Sequence, residues 1–184
     1  MEFTLFYKGK LLKSRKTKVE EKQRLRRHFH SQLKILWEQP PLFDPSNAIP
    51  LWDRQISLIY EIGSFRFVPL VNRRLHMIAE IDVTMLRPEP PGQIIKSGDI
   101  DNRLKTLLDS LKMPTEPNSL HPTEKPINGE DPFFCVLEDD SLITKVSVNT
   151  AQLLESNIHS SEVSLIINIK TKLTQVIWAN MGLG

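Results

Sequence analysis

Apolar and polar positions along this 184-residue chain follow two periods, one suited to strands and one to helices. The cleanest alternation runs over residues 77–85. There Met77, Ala79, Ile81, Val83 and Met85 share one face, and Ile78, Glu80, Asp82 and Thr84 the other. Residues 65–71, 133–137, 142–148 and 162–170 also read as strands, and residues 2–7 as a short one that Gly9 ends. Asn72, Arg73 and Arg74 resemble a hairpin turn, and residues 56–62 fit either a short helix or a strand.

Two segments carry the helical period. Leu25, Phe29, Leu33, Leu36 and Trp37 fall on one face, behind a capping-box pattern from Thr17 to Glu20 and ahead of the stop at Pro40 and Pro41. Leu104, Leu107, Leu108 and Leu111 repeat the pattern, and Pro114 closes it. Residues 114–132, rich in Pro, Asn, Ser and Gly, lack apolar periodicity and read as a long, mobile loop. The tail is expected to add a short strand or to pack Trp178. Strand runs interleaved with two helices predict one α+β domain over residues 1–184, a mixed β-sheet with helices packed against it.

Composition adds limits. The chain is long enough for one well-buried core and short for two. No apolar run reaches the roughly 18–20 residues that span a bilayer, and the N-terminus lacks the pattern of a signal peptide. The lone cysteine, Cys135, excludes an internal disulfide, lies in the apolar run FFCVL as a core residue, and fits a cytoplasmic protein. His28 and His30 stand two apart on a helix and diverge, which argues against a zinc pair.

The net charge of +2 hides a polarity along the chain. Ten lysines and arginines against two glutamates lie between residues 8 and 27; ten acids against four bases lie between residues 99 and 140. A basic flank beside an acidic pocket suits a protein that grips a polyanion and presents a metal to it.

Two acidic knots focus that idea. In GDIDN, Asp99 and Asp101 stand two apart just ahead of the second helix, with Lys105 one turn on; in LEDD, Glu138, Asp139 and Asp140 form a turn between strands. Asp101 at the helix N-cap accepts backbone N–H bonds, a structural role in itself. Asp99, taken as extended chain, would aim its side chain the same way as Asp101. Carboxylates held together repel unless a cation neutralises them, and hard oxygens suit Mg²⁺. Lys105 is also placed for a weak ion pair with Asp101 or Asp109.

The order GD-I-DN-R-L-K-TLLDSL followed by L-E-DD-SLI-T-K-V resembles the RusA-like Holliday-junction endonucleases, over residues 78–148. The resemblance implies a two-layer α/β fold and metal ligation by Asp99, Asp101 and Asp140, which with Lys105 form the catalytic set. Asn102 and Asp139 are then supporting neighbours. It implies Mg²⁺, or Mn²⁺ in its place, and a homodimer cleaving branched DNA, four-way junctions first, in recombination and repair. Lys13, Arg15, Lys16, Lys18, Arg73 and Arg74 are the expected DNA contacts, and no membrane is involved. Residues 114–132 are then an insertion, either a flap over the site or a cover for the dimer edge. The alternative is a catalytically inactive nucleic-acid-binding protein with a nuclease-like fold.

Overall fold

The computed structural model describes residues 1–11, 19–42, 57–88, 99–155 and 162–184, with only the backbone described for Asp99. Among the described residues, seven strands and two long helices follow one another as β1 (Glu2–Lys10), α1 (Val19–Trp37), β2 (Tyr60–Ile62), β3 (Phe65–Val71), β4 (Met77–Arg87), α2 (Asp99–Leu111), β5 (Phe133–Leu137), β6 (Ile143–Gln152) and β7 (Glu162–Leu173). The strands form two mixed sheets, one ordered β1-β7-β4-β6 and one ordered β2-β3-β5. The α+β expectation holds, but with two sheets where one was expected.

The larger sheet is built on β4, which pairs antiparallel with β7 and parallel with β6. All five apolar residues of its alternating face are buried. That face packs with Leu5 and Tyr7 of β1, Leu165, Ile167 and Ile169 of β7, Leu25, Phe29 and Leu33 of α1, and Leu107 and Leu111 of α2 in one core. Fully burying a side chain of this size contributes roughly 1.5–3 kcal/mol. A satellite cluster of Ile62, Phe65, Phe67, Met113, Leu120, Phe133 and Cys135 lies on the smaller sheet.

Several local expectations change. β1 runs through Gly9, whose position beneath the Tyr7 hydroxyl leaves a Cβ only 2.9 Å of room. Asn72 to Arg74 make no hairpin, because β3 and β4 belong to different sheets. The buried Asn72 amide donates to the Pro69 and Leu70 carbonyls and accepts from Leu75 N, which turns the chain from one sheet to the other. The 138–141 segment makes a second passage of this kind, from β5 to β6. Trp178 packs on nothing, being 92% exposed, and the tail is held instead by buried Asn180 and Leu183. Thr17 and Lys18 of the capping box, Ile56, and residues 12–18 of the basic stretch fall outside the described residues.

The 114–132 segment is fastened to α1. Arg27 bonds Glu124 and the buried Glu130, and its guanidinium donates to the Lys125 carbonyl. His30, on the same face of α1, stacks on Phe133 and accepts from Phe134 N through Nδ1, at 2.9 Å. Its Nε2 lies 3.1 Å from the Gly129 carbonyl, so the ring is the neutral Nε2–H tautomer, joined to the main chain at both nitrogens. His28, by contrast, meets Tyr7 edge-on and the Phe6 carbonyl, so the two histidines do diverge.

Burial holds the His30 imidazole below its ordinary pKa. The unfolded chain therefore takes up this proton first as pH falls. The contribution is complete above the unfolded value of about 6.5 and is lost progressively as pH drops from there toward the folded pKa. Urea unfolding at neutral pH and again one to two units lower should show reduced stability in the acid sample. The His30 ring resonances should titrate below those of a free histidine.

Candidate functional site

The second helix carries the predicted chemistry, and two buried arginines fix it. Arg26 of α1, 4% exposed, reaches its C-terminal end, where Nε donates to the Lys112 carbonyl (3.1 Å) and Nη2 to the Asp109 carbonyl (3.0 Å). Those carbonyls belong to the last turn, which has no intrahelical donors of its own, and a cation there also meets the negative end of the helix dipole. Nearer the N-terminal end, the buried Arg103 donates to the Leu11 carbonyl at 2.8 Å.

The helix begins at Asp99, three residues earlier than the N-cap assignment of Asp101 requires. Asp99 is thus helical backbone and not extended chain, and the argument that both carboxylates share a direction because the chain is extended falls with that change. Asp101 sits exposed in the first turn, and Lys105, one turn on, is exposed as well. Neither has an ion-pair partner among the described residues, and the expected Lys105–Asp109 pair is absent. Asp109 is bound instead by Lys22 at 2.7 Å, with Lys112 at 3.9 Å. Asn102 is half-buried, and its carbonyl accepts from the Thr106 hydroxyl.

The second acidic knot is a short 3₁₀ turn, Asp140–Leu142, capped by Asp139, whose carboxylate accepts from Ser141 N at 3.0 Å. The bonds from Ser141, with Lys112 and Arg73 nearby, hold the Asp139 carboxyl below its usual pKa. Arg73 clamps the same segment from the β3–β4 corner. Its Nη1 lies 2.8 Å from Glu138, its Nη2 2.8 Å from the Ser141 hydroxyl, and its backbone N–H 2.7 Å from Glu138. Asp140 is left exposed and meets Lys112 Nζ at 2.9 Å.

At 100° per residue, Asp101, Lys105, Leu108 and Lys112 fall on one stripe of α2. A shallow pocket lined by Leu108, Asp140, Ser141 and Ile143 places Asp140 beside that stripe. At 1.5 Å per residue, Leu108 and Lys112 stand about 10 and 16 Å beyond Asp101 along the axis. The structure therefore sets Asp140 on the same face as Asp101 and Lys105 without bringing it to Asp101. Among the described residues no three His, Cys, Asp or Glu side chains converge as a metal-binding group; the predicted trio includes Asp99, whose side chain is not described.

Of the predicted DNA contacts, Lys13, Arg15, Lys16 and Lys18 lie outside the described residues. Arg73 and Arg74 are engaged internally: Arg73 as above, and Arg74 with the Ser57 carbonyl and, 4.3 Å from its centroid, the Tyr60 ring. Sequence reasoning missed Lys112 and Arg26. Lys112 was within reach, since it stands seven residues from Lys105 and so on the same stripe. Arg26 gave no such signal, being one base among ten. Comparisons with protein-family models, with curated proteins and with solved structures found no match.

Replacing Arg26 by methionine leaves two helix-end carbonyls without their charged donor. A loss of about 2–4 kcal/mol in unfolding free energy is expected, measured by chemical denaturation. Arg73→Ala acts at an exposed site, so its global effect stays near 1 kcal/mol or below. Its local effect is faster amide hydrogen exchange over residues 138–142 and little change in α1.

Proposed function

We propose that this chain is a metal-dependent endonuclease acting on branched DNA, with four-way junctions as the first substrate, in the manner of the RusA-like enzymes that its GDIDN and LEDD motifs resemble. The observation that carries the proposal is the first turn of α2. Asp99 and Asp101 stand there with Lys105 one turn away, and Asp101 and Lys105 are exposed and free of ion-pair partners among the described residues. The buried Arg103 of the same helix donates to the Leu11 carbonyl.

Carboxylate oxygens at a solvent-exposed helix end fit a hard cation such as Mg²⁺, which binds through one or two carboxylates plus substrate phosphate and keeps several waters. Asp99 and Asp101 would hold it; Asp140, about 10–16 Å further along the stripe, would join them only by a movement of the 138–141 turn toward the first turn of α2. When bound, such an ion polarises a phosphoryl oxygen and lowers the pKa of water. The chain's own groups do the rest. Lys105 meets a phosphate oxygen, Lys112 offers a second ammonium two turns along the same stripe, and the lysines and arginines of the basic run neutralise backbone phosphates. Binding should accordingly weaken steeply with salt. The homodimer belongs to this proposal because paired cuts on opposing strands need two sites.

The test is cleavage of an end-labelled synthetic four-way junction beside a linear duplex and a flap, each in Mg²⁺, Mn²⁺ or EDTA. Symmetric nicks in the junction that require metal and fall by on the order of 10²-fold or more in Asp101→Asn are expected. Cleavage that persists in EDTA, or that Asp101→Asn leaves untouched, removes these carboxylates from the chemistry. Tight junction binding without cleavage in either metal assigns the chain to inactive nucleic-acid binders.

A further inference from the structure

The edges of the two sheets are treated unequally. At the β1 edge, the Gln32 side chain of α1 imitates a neighbouring strand, accepting from Phe6 N at 2.9 Å and donating to Phe6 O at 2.8 Å, with His28 on the same carbonyl. The β5 edge is met by His30 at Phe134 N and by Met113 N at the Leu137 carbonyl. The β2 edge is only three residues long. β6 is different: ten residues at the end of the larger sheet, mostly exposed, with no described strand beyond it. It holds no proline and one charge, Lys145, which is tied back to Asp82 at 3.1 Å. A long edge left unpaired among the described residues is a template for another strand.

The sequence of that edge reads nearly the same in both directions. Residues 144–150 are T-K-V-S-V-N-T, centred on Ser147. Val146 lies opposite the buried Ile81 and so continues the inner, apolar face, yet it is 39% exposed. Ser147 lies opposite Asp82 on the outer face.

We infer that β6 pairs antiparallel with β6 of a second copy of this chain about a two-fold axis at Ser147, joining the two four-stranded sheets into one of eight strands. In that register Val146 of each copy faces Val148 of the other, and aliphatic pairs across strands stabilise a sheet. The charges are arranged for it too. Each Lys145 faces Asn149 and not its own counterpart, and the two ammoniums stand four residues apart, about 13 Å. That exceeds the ~8 Å screening length at physiological ionic strength. The register shift between Ala79 and Glu80, which leaves Thr144 as the extra residue, marks one end of the pairing. The inference does not rest on the nuclease reading. It supplies an interface that reading needs, with the two 138–141 turns at opposite ends of the joined strands.

The test uses the full chain. Sedimentation should give a dimer in the micromolar range for wild type and a monomer of unchanged far-UV circular dichroism for Val146→Asp, whose melting temperature no longer depends on protein concentration. Ser147→Cys should form a disulfide-linked dimer under mild oxidation. Lys145→Cys should not, and the native Cys135 is buried. A wild-type monomer throughout the micromolar range overturns the inference. So does a dimer that survives Val146→Asp, or one in which Lys145→Cys cross-links as readily as Ser147→Cys. Failure of junction cleavage leaves these outcomes unchanged, so the two ideas fail separately.

Discussion

A buried guanidinium against the carbonyl end of α2 is the constraint on which the arrangement of this protein turns. Helix α2 exposes Asp101 in its first turn and buries Ser110 and Leu111 in its last, so its last turn has to be satisfied inside the protein. Arg26 does this from α1 with two donors to main-chain carbonyls. It also sets the axial position of the helix, because a shift by one residue would carry both acceptors about 1.5 Å away. Lys22 reinforces the register on the surface side by pairing with Asp109. Burying a cation without a carboxylate in direct contact is expensive, and the offset here comes from two helix-end carbonyls and the dipole they terminate.

That fixation passes to the acidic segment through Lys112. Because Arg26 holds the Lys112 carbonyl, the Lys112 side chain starts from a fixed point and meets Asp140 across the groove between α2 and the start of β6. Arg73 fixes the same segment from the other side. The acidic turn is therefore gripped at both ends by cations rooted in different elements. Asp139 is committed to the turn itself, and Asp140 alone projects into solvent with a single ammonium as partner.

Much of this was legible in the sequence, and the misses have physical reasons. Periodicity located β3 and β5 to the residue and the five apolar positions of the buried face of β4, though not Arg87, which continues that face, because apolar burial on one face leaves a period-two record. The helical faces of α1 and α2 were equally plain. What periodicity does not encode is which strand pairs with which. The turns at Asn72 and at Asp139–Ser141 looked like hairpins, since turn-forming residues suit a hairpin and a passage between sheets alike. The start of α2 was misplaced because Asp101 is a residue type that suits an N-cap, and nothing in GDIDN marks the helix as already under way at Asp99. Arg73 and Arg74 looked like surface charge for a ligand; only three-dimensional proximity shows that they also have partners within the fold, in Glu138 and Tyr60. Arg26 is the sharpest case, since nothing distinguishes a buried arginine from nine other bases in the same stretch.

The stripe on α2 shows how a site of like charges can persist without collapsing. Two unit charges 4 Å apart in water interact by only about 1 kcal/mol, but the cost rises steeply where water is excluded. Here the carboxylates are kept exposed and separated along the helix axis. Asp101 stands in the first turn, where the positive end of the dipole favours an anion, while Asp140 lies well along the stripe against an ammonium. Lys105 lies between them and lowers the potential that each feels. A polyanion laid along this stripe would meet two ammoniums, Lys105 and Lys112, spaced by two turns or about 10 Å. It would also compete with Asp140 for Lys112, so engaging the ligand and releasing Asp140 become one event. Coupling of that kind needs no motion of the fold, only an exchange of partners around a lysine whose main chain Arg26 already holds still.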